Sequence, residues 1–98
     1  MSKWYLYVVR TGKGSLYTGI ATDVERRLTE HRNGIGSKYL RAQQSLTLVY
    51  RAHFVDRSTA LRVEGALKKL RKDRKETIVS RQPTASELVS LLGIDAAD

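Results

Sequence analysis

Two segments near the N-terminus alternate side-chain character with the two-residue period of a β-strand. They cover residues 4–10 and 16–20, and the connection between them contains Gly12 and Gly14. Glycine tolerates the positive backbone φ angles that short hairpin loops require. The pattern predicts a β-hairpin closed by a three-residue loop with a bulge, in which both glycines have positive φ.

The register of this hairpin decides which face of the sheet each side chain occupies. A loop with an odd number of residues puts Tyr7 directly opposite Tyr17, whereas an even loop would put the two phenols on opposite faces. The odd loop also gathers an almost wholly apolar set on the reverse face: Trp4, Leu6, Val8, Leu16, Thr18 and Ile20. We therefore expect a sheet with one buried face, and with two tyrosines side by side on the other.

The remaining chain predicts helices and one more strand, in the overall order β-β-α-β-α-α-α. Residues 46–52, rich in β-branched and aromatic side chains, predict the third strand, and residues 34–39 predict a mobile, glycine-rich loop. One helix is expected to begin between residues 56 and 58. The others begin at capping-box patterns, which are Thr22–Glu25, Asp73–Glu76 and Thr84–Glu87. This order predicts a small α+β domain.

Composition restricts the classes of protein and of site. The chain has no cysteine, which excludes disulfides and thiolate metal sites, and its two histidines are too far apart to suggest zinc. No apolar stretch approaches the ~20 residues needed to span a bilayer, and the N-terminal residues lack an apolar signal region. We therefore expect a cytoplasmic protein with no membrane partner.

Positive charge is concentrated in one part of the chain. The formal net charge is +8, and the last fifteen residues contain no Lys or Arg. Seven basic residues fall within fourteen positions: Arg62, Lys68, Lys69, Arg71, Lys72, Arg74 and Lys75. A solvated helix face would account for such a run by itself, but together with the net charge it favours a polyanionic partner, usually nucleic acid.

Glu64 lies on or beside the apolar stripe of the helix that begins near residue 57, a stripe formed by Ala60, Val63, Leu67 and Leu70. A carboxylate is rarely buried without a partner. One interpretation is a surface ion pair with Arg62 or Lys68. The other is a ligand for Mg²⁺ or Mn²⁺, ions that keep several waters and accept phosphate oxygens.

Arg27 shares a helix face with Val24 and His31, whereas its neighbour Arg26 points away. A guanidinium turned toward two phenols suits the binding of phosphate charge. The alternative is an ion pair with Glu30 or an interaction with the helix dipole. His31 alone is weak evidence for catalysis.

Taken together, Tyr5-Leu6-Tyr7, Tyr17-Thr18-Gly19 and residues 22–31 resemble the GIY-YIG nuclease family, and in particular its small stand-alone bacterial members. The resemblance covers residues 4–80. It implies the GIY-YIG endonuclease fold, a small, mostly antiparallel three-stranded sheet flanked by helices. It also implies that residues 1–82 form the nuclease-like domain, to which residues 83–98 add a helix and a tail.

The resemblance implies a metal-dependent endonuclease that hydrolyses a phosphodiester bond in DNA, in repair or processing. Its cofactor would be Mg²⁺ or Mn²⁺. Matched by position, the catalytic set is Tyr7, Tyr17, Arg27, His31 and Glu64, with Gly19 as the motif glycine and Glu64 as the metal ligand. We expect DNA contacts from Lys38, Arg41, Lys68, Lys69, Arg71 and Lys72.

The expected mechanism uses one tyrosine as general base. Tyr7 or Tyr17, with its pKa lowered by Arg27 and the metal, would deprotonate the attacking water. The alternative is a nucleic-acid-binding module without efficient catalysis, because the asparagine that follows the glutamate in many family nucleases has no counterpart near Asp73–Glu76. A protein-binding adaptor is a third, less favoured interpretation. The oligomeric state is left open.

Overall fold

The chain combines a small sheet with helices on both of its faces. The computed structural model describes residues 3–41 and 45–94. Within these ranges the strands are β1 (Trp4–Thr11), β2 (Leu16–Ala21) and β3 (Leu46–Phe54). The helices are α1 (Val24–Arg32), α2 (Lys38–Arg41), α3 (Arg57–Lys68), α4 (Lys72–Arg81) and α5 (Ala85–Leu91). The predicted α+β class is confirmed, and the single-turn α2 lies where a loop was predicted.

The sheet has the order β2-β1-β3 and is antiparallel throughout. In the hairpin, Tyr7 is opposite Gly19 and Tyr17 is opposite Val9, so the prediction that the two tyrosines pair directly is wrong by two residues. The prediction that an odd number of residues connects the strands is correct, because five residues separate the paired Arg10 and Leu16. Both phenols therefore lie on the same face, diagonally to each other.

The hairpin loop has the predicted three residues, 12–14, but it is centred on Lys13, one position beyond the Gly12 centre that a direct Tyr7–Tyr17 pair requires. The N–H of Thr11 donates to the carbonyl of Ser15, and the N–H of Gly14 donates back to Thr11. Gly14 has φ +90°, but Gly12 does not adopt a positive φ. The N–H of Gly12 instead donates to the carbonyl of Ser45, just before β3.

Both faces of the sheet are covered, which corrects the expectation of a single buried face. Against one face pack residues of α3, α4 and α5, in a cluster that includes Leu6, Val8, Val63, Leu67, Ile78 and Leu88. Against the other pack α1 and α2, in a cluster that includes Tyr7, Val9, Val24, Leu28 and Leu40. Tyr7 is consequently only 2% exposed.

The helix starts were predicted with mixed success. The box of Thr84 and Glu87 is confirmed at α5. At α1 the cap is Asp23, whose carboxylate accepts from the N–H of Arg26, and not Thr22. The box predicted at Asp73 is wrong, because α4 begins at Lys72 and Glu76 is bonded elsewhere.

Two polar interactions connect α4 to the β1–β2 hairpin. Glu76 makes a bidentate ion pair with Arg10 of β1, with both N···O distances 2.7 Å, and the ammonium of Lys72 donates to the carbonyl of Gly14 in the hairpin loop. After α4, Gln82 adopts a left-handed φ of 54°. Its amide nitrogen donates to the carbonyl of Val49 in β3.

Among the helices in the described ranges, none is long and apolar enough to cross a membrane.

Candidate active site

The site is built around Tyr7, whose ring lies across Gly19 on the neighbouring strand. A Cβ atom added at Gly19 would stand 2.5 Å from the Tyr7 hydroxyl oxygen, closer than any real contact. The ring therefore occupies the space that a side chain on β2 would need. This contact gives the glycine of the second motif a direct structural role.

His31 holds the phenol from α1. The Tyr7 hydroxyl oxygen and His31 Nε2 are 2.9 Å apart, and His31 is only 1% exposed. Burial, and then the positive charge of Arg27, lower the pKa of His31, so the imidazole is neutral near pH 7. Arg27 also bonds the Tyr7 oxygen and can only donate.

The protonation of Tyr7 differs from the expectation for a general base. Burial raises the pKa of Tyr7 to about 12, and the neighbouring Tyr17 adds to the increase. The hydrogen bond from Arg27 acts in the opposite direction but does not outweigh burial. For Tyr7, the predicted lowering of the pKa is wrong, since the sequence did not reveal that α1 would cover this phenol.

Arg27 has the predicted orientation, toward the tyrosines. Its guanidinium also pairs with Glu30 at 2.9 Å, so the alternative contact predicted for it is present as well, and one third of the side chain is exposed. The hydrogen bond to Glu30, and after it the bond to Tyr7, raise the pKa of Arg27. Gly36, with φ +95°, lies so close that an added Cβ would be 2.7 Å from the guanidinium.

Tyr17 carries the second phenol and is partly exposed. Its ring meets His31 edge-on at a centroid distance of 5.7 Å. It also stacks on Tyr39, the second residue of α2, with centroids 6.3 Å apart and planes inclined by 13°. The Tyr39 hydroxyl bonds the hydroxyl of Ser15 in the hairpin loop. Sequence reasoning missed Ser15 and Gly36.

Glu64 approaches the tyrosines from α3. Its charge contributes to the raised pKa of Tyr7, which places the carboxylate within electrostatic reach of that phenol. The side chain is 18% exposed and pairs with Lys68 at 3.2 Å, so the ion-pair interpretation is also observed. Lys68 is half exposed, and such surface pairs contribute little.

Among the described residues there is no group of three or more His, Cys, Asp or Glu side chains that could hold a metal ion. Glu64 would therefore be a single protein ligand. That donor set fits Mg²⁺ or Mn²⁺, which retain waters and take substrate phosphate oxygens as further ligands. It does not fit an ion that needs a closed protein cage.

The predicted nucleic-acid contacts lie in two regions. Lys68, Lys69, Arg71 and Lys72 surround the junction of α3 and α4 and are exposed. Some already have internal partners, since Arg71 pairs with Asp73. Lys38 is exposed at the start of α2, whereas the side chain of Arg41 lies outside the described part of the structure.

Comparisons with known proteins show what the whole chain is similar to. The family model of the GIY-YIG catalytic domain matches residues 3–77. A UPF0213 protein of Yersinia enterocolitica is 53% identical over 93 residues, which cover 95% of this chain and 94% of that protein. The UPF0213 protein YhbQ of Escherichia coli is 49% identical over 92 residues, 94% of this chain and 92% of that protein. A solution NMR structure of a UPF0213 protein from Bacillus halodurans has a TM-score of 0.56 and 34% identity, over 95% of this chain and 99% of that one.

Proposed function

The chain belongs to the GIY-YIG catalytic-domain family, and we propose that it is a metal-dependent endonuclease that hydrolyses a phosphodiester bond in DNA, during repair or processing. The observation that carries this proposal is the convergence on one phenol. Tyr7 from β1 and Tyr17 from β2 both contact His31 of α1. Arg27 of α1 and Glu64 of α3 lie close enough to influence the pKa of Tyr7. Phenols, a guanidinium and a carboxylate are groups that phosphodiester hydrolysis can use.

We assign the water-activating role to Tyr17. Tyr7 is buried and, with a pKa of about 12, stays protonated at neutral pH. Tyr17 is partly exposed and lies beside it on the same face. In this assignment Tyr7 and His31 are positioning residues, which hold Tyr17 and Arg27 in place.

Arg27 would bind the non-bridging oxygens of the scissile phosphate. Its guanidinium is fixed by Glu30 on one side and by Tyr7 on the other, while a third of the side chain faces solvent. A preorganised cation stabilises charge that develops in the transition state without having to reorient. This is the role in which Lys would be a poor substitute.

Glu64 would hold the Mg²⁺ or Mn²⁺ ion, and the bound ion would supply neutralisation of charge on the leaving oxygen. The carboxylate must exchange its contact with Lys68 for the ion. Lys68 is then released toward solvent, beside the other exposed cations of the α3–α4 junction. Lys68 and these cations are suited to bind the DNA backbone.

The test is nicking of labelled DNA in Mg²⁺ or Mn²⁺ compared with a chelator. We expect Glu64→Gln and Tyr17→Phe to slow cleavage by about 10²-fold or more, because each removes a group used in the transition state. Matched controls are Glu25→Gln, an exposed carboxylate paired with Arg51, and Tyr5→Phe, two residues before Tyr7 in β1. Both controls should cleave like the parent.

The outcomes separate the alternatives. Equal cleavage by the parent and both site variants would point to a contaminating nuclease or a different site. DNA binding without cleavage, unaffected by metal and by Glu64→Gln, would support the non-catalytic binding module.

A further inference from the structure

Tyr39 is an aromatic side chain at the rim of the candidate site, and it is 48% exposed. Its ring stacks on Tyr17, and its hydroxyl bonds Ser15, so contacts from both β2 and the hairpin loop orient it.

The segment that carries Tyr39 is also firmly anchored. Leu40, the next residue, is 1% exposed and packs with α1, and its N–H donates to the hydroxyl of Ser37. The two glycines that shape the segment, Gly34 and Gly36, have φ of 81° and 95°. Their conformation brings the segment back over Arg27 and places Tyr39 beside Tyr17.

The surface around Tyr39 combines exposed apolar and basic side chains, as in sites that bind nucleotides. Ile35 on the same segment is 56% exposed, and Lys38 is exposed directly before Tyr39. Sites for single-stranded nucleic acid combine aromatic rings, on which bases stack, with cations that contact the backbone. Here the aromatic ring adjoins the residue to which we assign water activation.

We propose that Tyr39 is a stacking platform for an unpaired base next to the scissile phosphate. In a duplex each base already stacks on its neighbours, and it must be unstacked before a protein ring can contact its face. The preferred substrates would therefore have single-stranded or unpaired nucleotides beside the bond that is cut. This inference rests on the proposed nuclease function and specifies its class of substrate.

The test measures binding in the presence of a chelator, so that it does not depend on cleavage. The probe is DNA carrying 2-aminopurine, a base whose fluorescence is quenched on stacking, either unpaired or paired within a duplex of equal length. We expect the parent to quench the unpaired probe and to bind it more tightly. Tyr39→Leu should weaken that binding about 5- to 150-fold, the range for loss of one aromatic stacking partner.

Tyr39→Phe keeps the ring and removes the hydroxyl, so it should retain the quenching and most of the affinity. Ser15→Ala removes the partner of the hydroxyl and should behave in the same way. Circular dichroism of Tyr39→Leu shows whether the fold is intact. If Tyr39→Leu bound the unpaired and the paired probe with unchanged preference, or if Tyr39→Phe lost as much affinity as Tyr39→Leu, the platform would be refuted.

This result is distinguishable from failure of the nuclease proposal. Cleavage that depends on Glu64, without a preference for unpaired nucleotides, would retain the nuclease and refute the platform. Quenching that depends on Tyr39, without cleavage in any metal, would retain Tyr39 as a stacking residue for unpaired bases and refute the nuclease.

Discussion

At the scale of single residues, the contact between Tyr7 and Gly19 organises the site. The phenol can reach His31 only because the facing residue on β2 has no side chain. The sequence allowed a correct prediction that both tyrosines share a face. It did not allow a prediction of this contact, because the register depends on hydrogen bonds inside the hairpin loop.

Gly19→Ala should destabilise the fold, because its methyl group would overlap the Tyr7 ring. We expect the free energy of unfolding to fall by about 1–3 kcal/mol, the usual cost of overpacking. Urea denaturation measures this. The matched control is Gly65→Ala in α3, where an added Cβ meets nothing within 4 Å. That change should be neutral or stabilising by up to about 1 kcal/mol. Equal stability of Gly19→Ala and the parent would contradict the close packing.

His31 should make the stability of the protein depend on pH. Its pKa is lowered in the folded state from 6.5, so the unfolded chain binds more protons as the solution becomes acidic. The stabilising contribution is therefore present above pH 6.5 and is lost as the pH falls below it. The slope can reach about 1.4 kcal/mol per pH unit for one proton.

We expect denaturation curves of the parent to show this decline, and those of His31→Gln to show a shallower one. His53→Gln, a change at an exposed position of β3, should keep the decline of the parent. An unchanged slope in His31→Gln would assign the acid sensitivity to other groups.

At the scale of elements, helix positions were predictable but helix caps were less so. Asp23 rather than Thr22 caps α1, and Glu76 is drawn to Arg10 instead of completing a box at α4. At α4 a competing partner decided the outcome. For Glu76 that partner lies sixty-six residues away in the chain, beyond the reach of a local pattern.

The confirmed capping box at α5 gives a prediction at this scale. Thr84 accepts from the N–H of Glu87, and the Glu87 carboxylate accepts from the N–H of Thr84. Thr84→Ala should lower the free energy of unfolding by about 1 kcal/mol, since Leu88 and Val89 of this helix belong to the core. Ser86→Ala, in the exposed first turn, is the control and should have little effect in the same urea titration. Similar losses in both variants would contradict a specific cap.

At the scale of the whole molecule, the fold was more predictable than the site. The three strands and the α+β class were predicted from periodicity and are confirmed, whereas the single-turn α2 and the order of strands in the sheet were not predicted. The gathering of Tyr17, Arg27 and Glu64 around Tyr7 was inferred from the family resemblance and from shared helix faces. The raised pKa of Tyr7 was not predicted, because the burial of this phenol depends on how α1 and α2 pack over the sheet.

The net charge of +8 predicts DNA binding that weakens as the salt concentration rises. The location of the basic residues at the α3–α4 junction predicts which side chains contact the phosphates. Lys69→Gln, at the α3–α4 junction, should reduce the slope of log affinity against log salt by about 0.9, the value for one lost phosphate contact. Arg57→Gln removes the same charge at the opposite end of α3, where the guanidinium lies over Trp4, and should leave the slope unchanged. Equilibrium titrations at several salt concentrations measure both. An equal change in the two variants would mean that net charge alone, and not the junction, attracts DNA.

The amide of Gln82 bears on how copies of the protein behave in concentrated solution. β3 is an outer strand of the sheet, and such strands offer unpaired carbonyls on which a strand from another molecule can add. By donating to the Val49 carbonyl, Gln82 occupies one of these acceptors in the middle of the strand. An incoming chain would have to displace that amide, so aggregation along this border is opposed by the protein's own side chain.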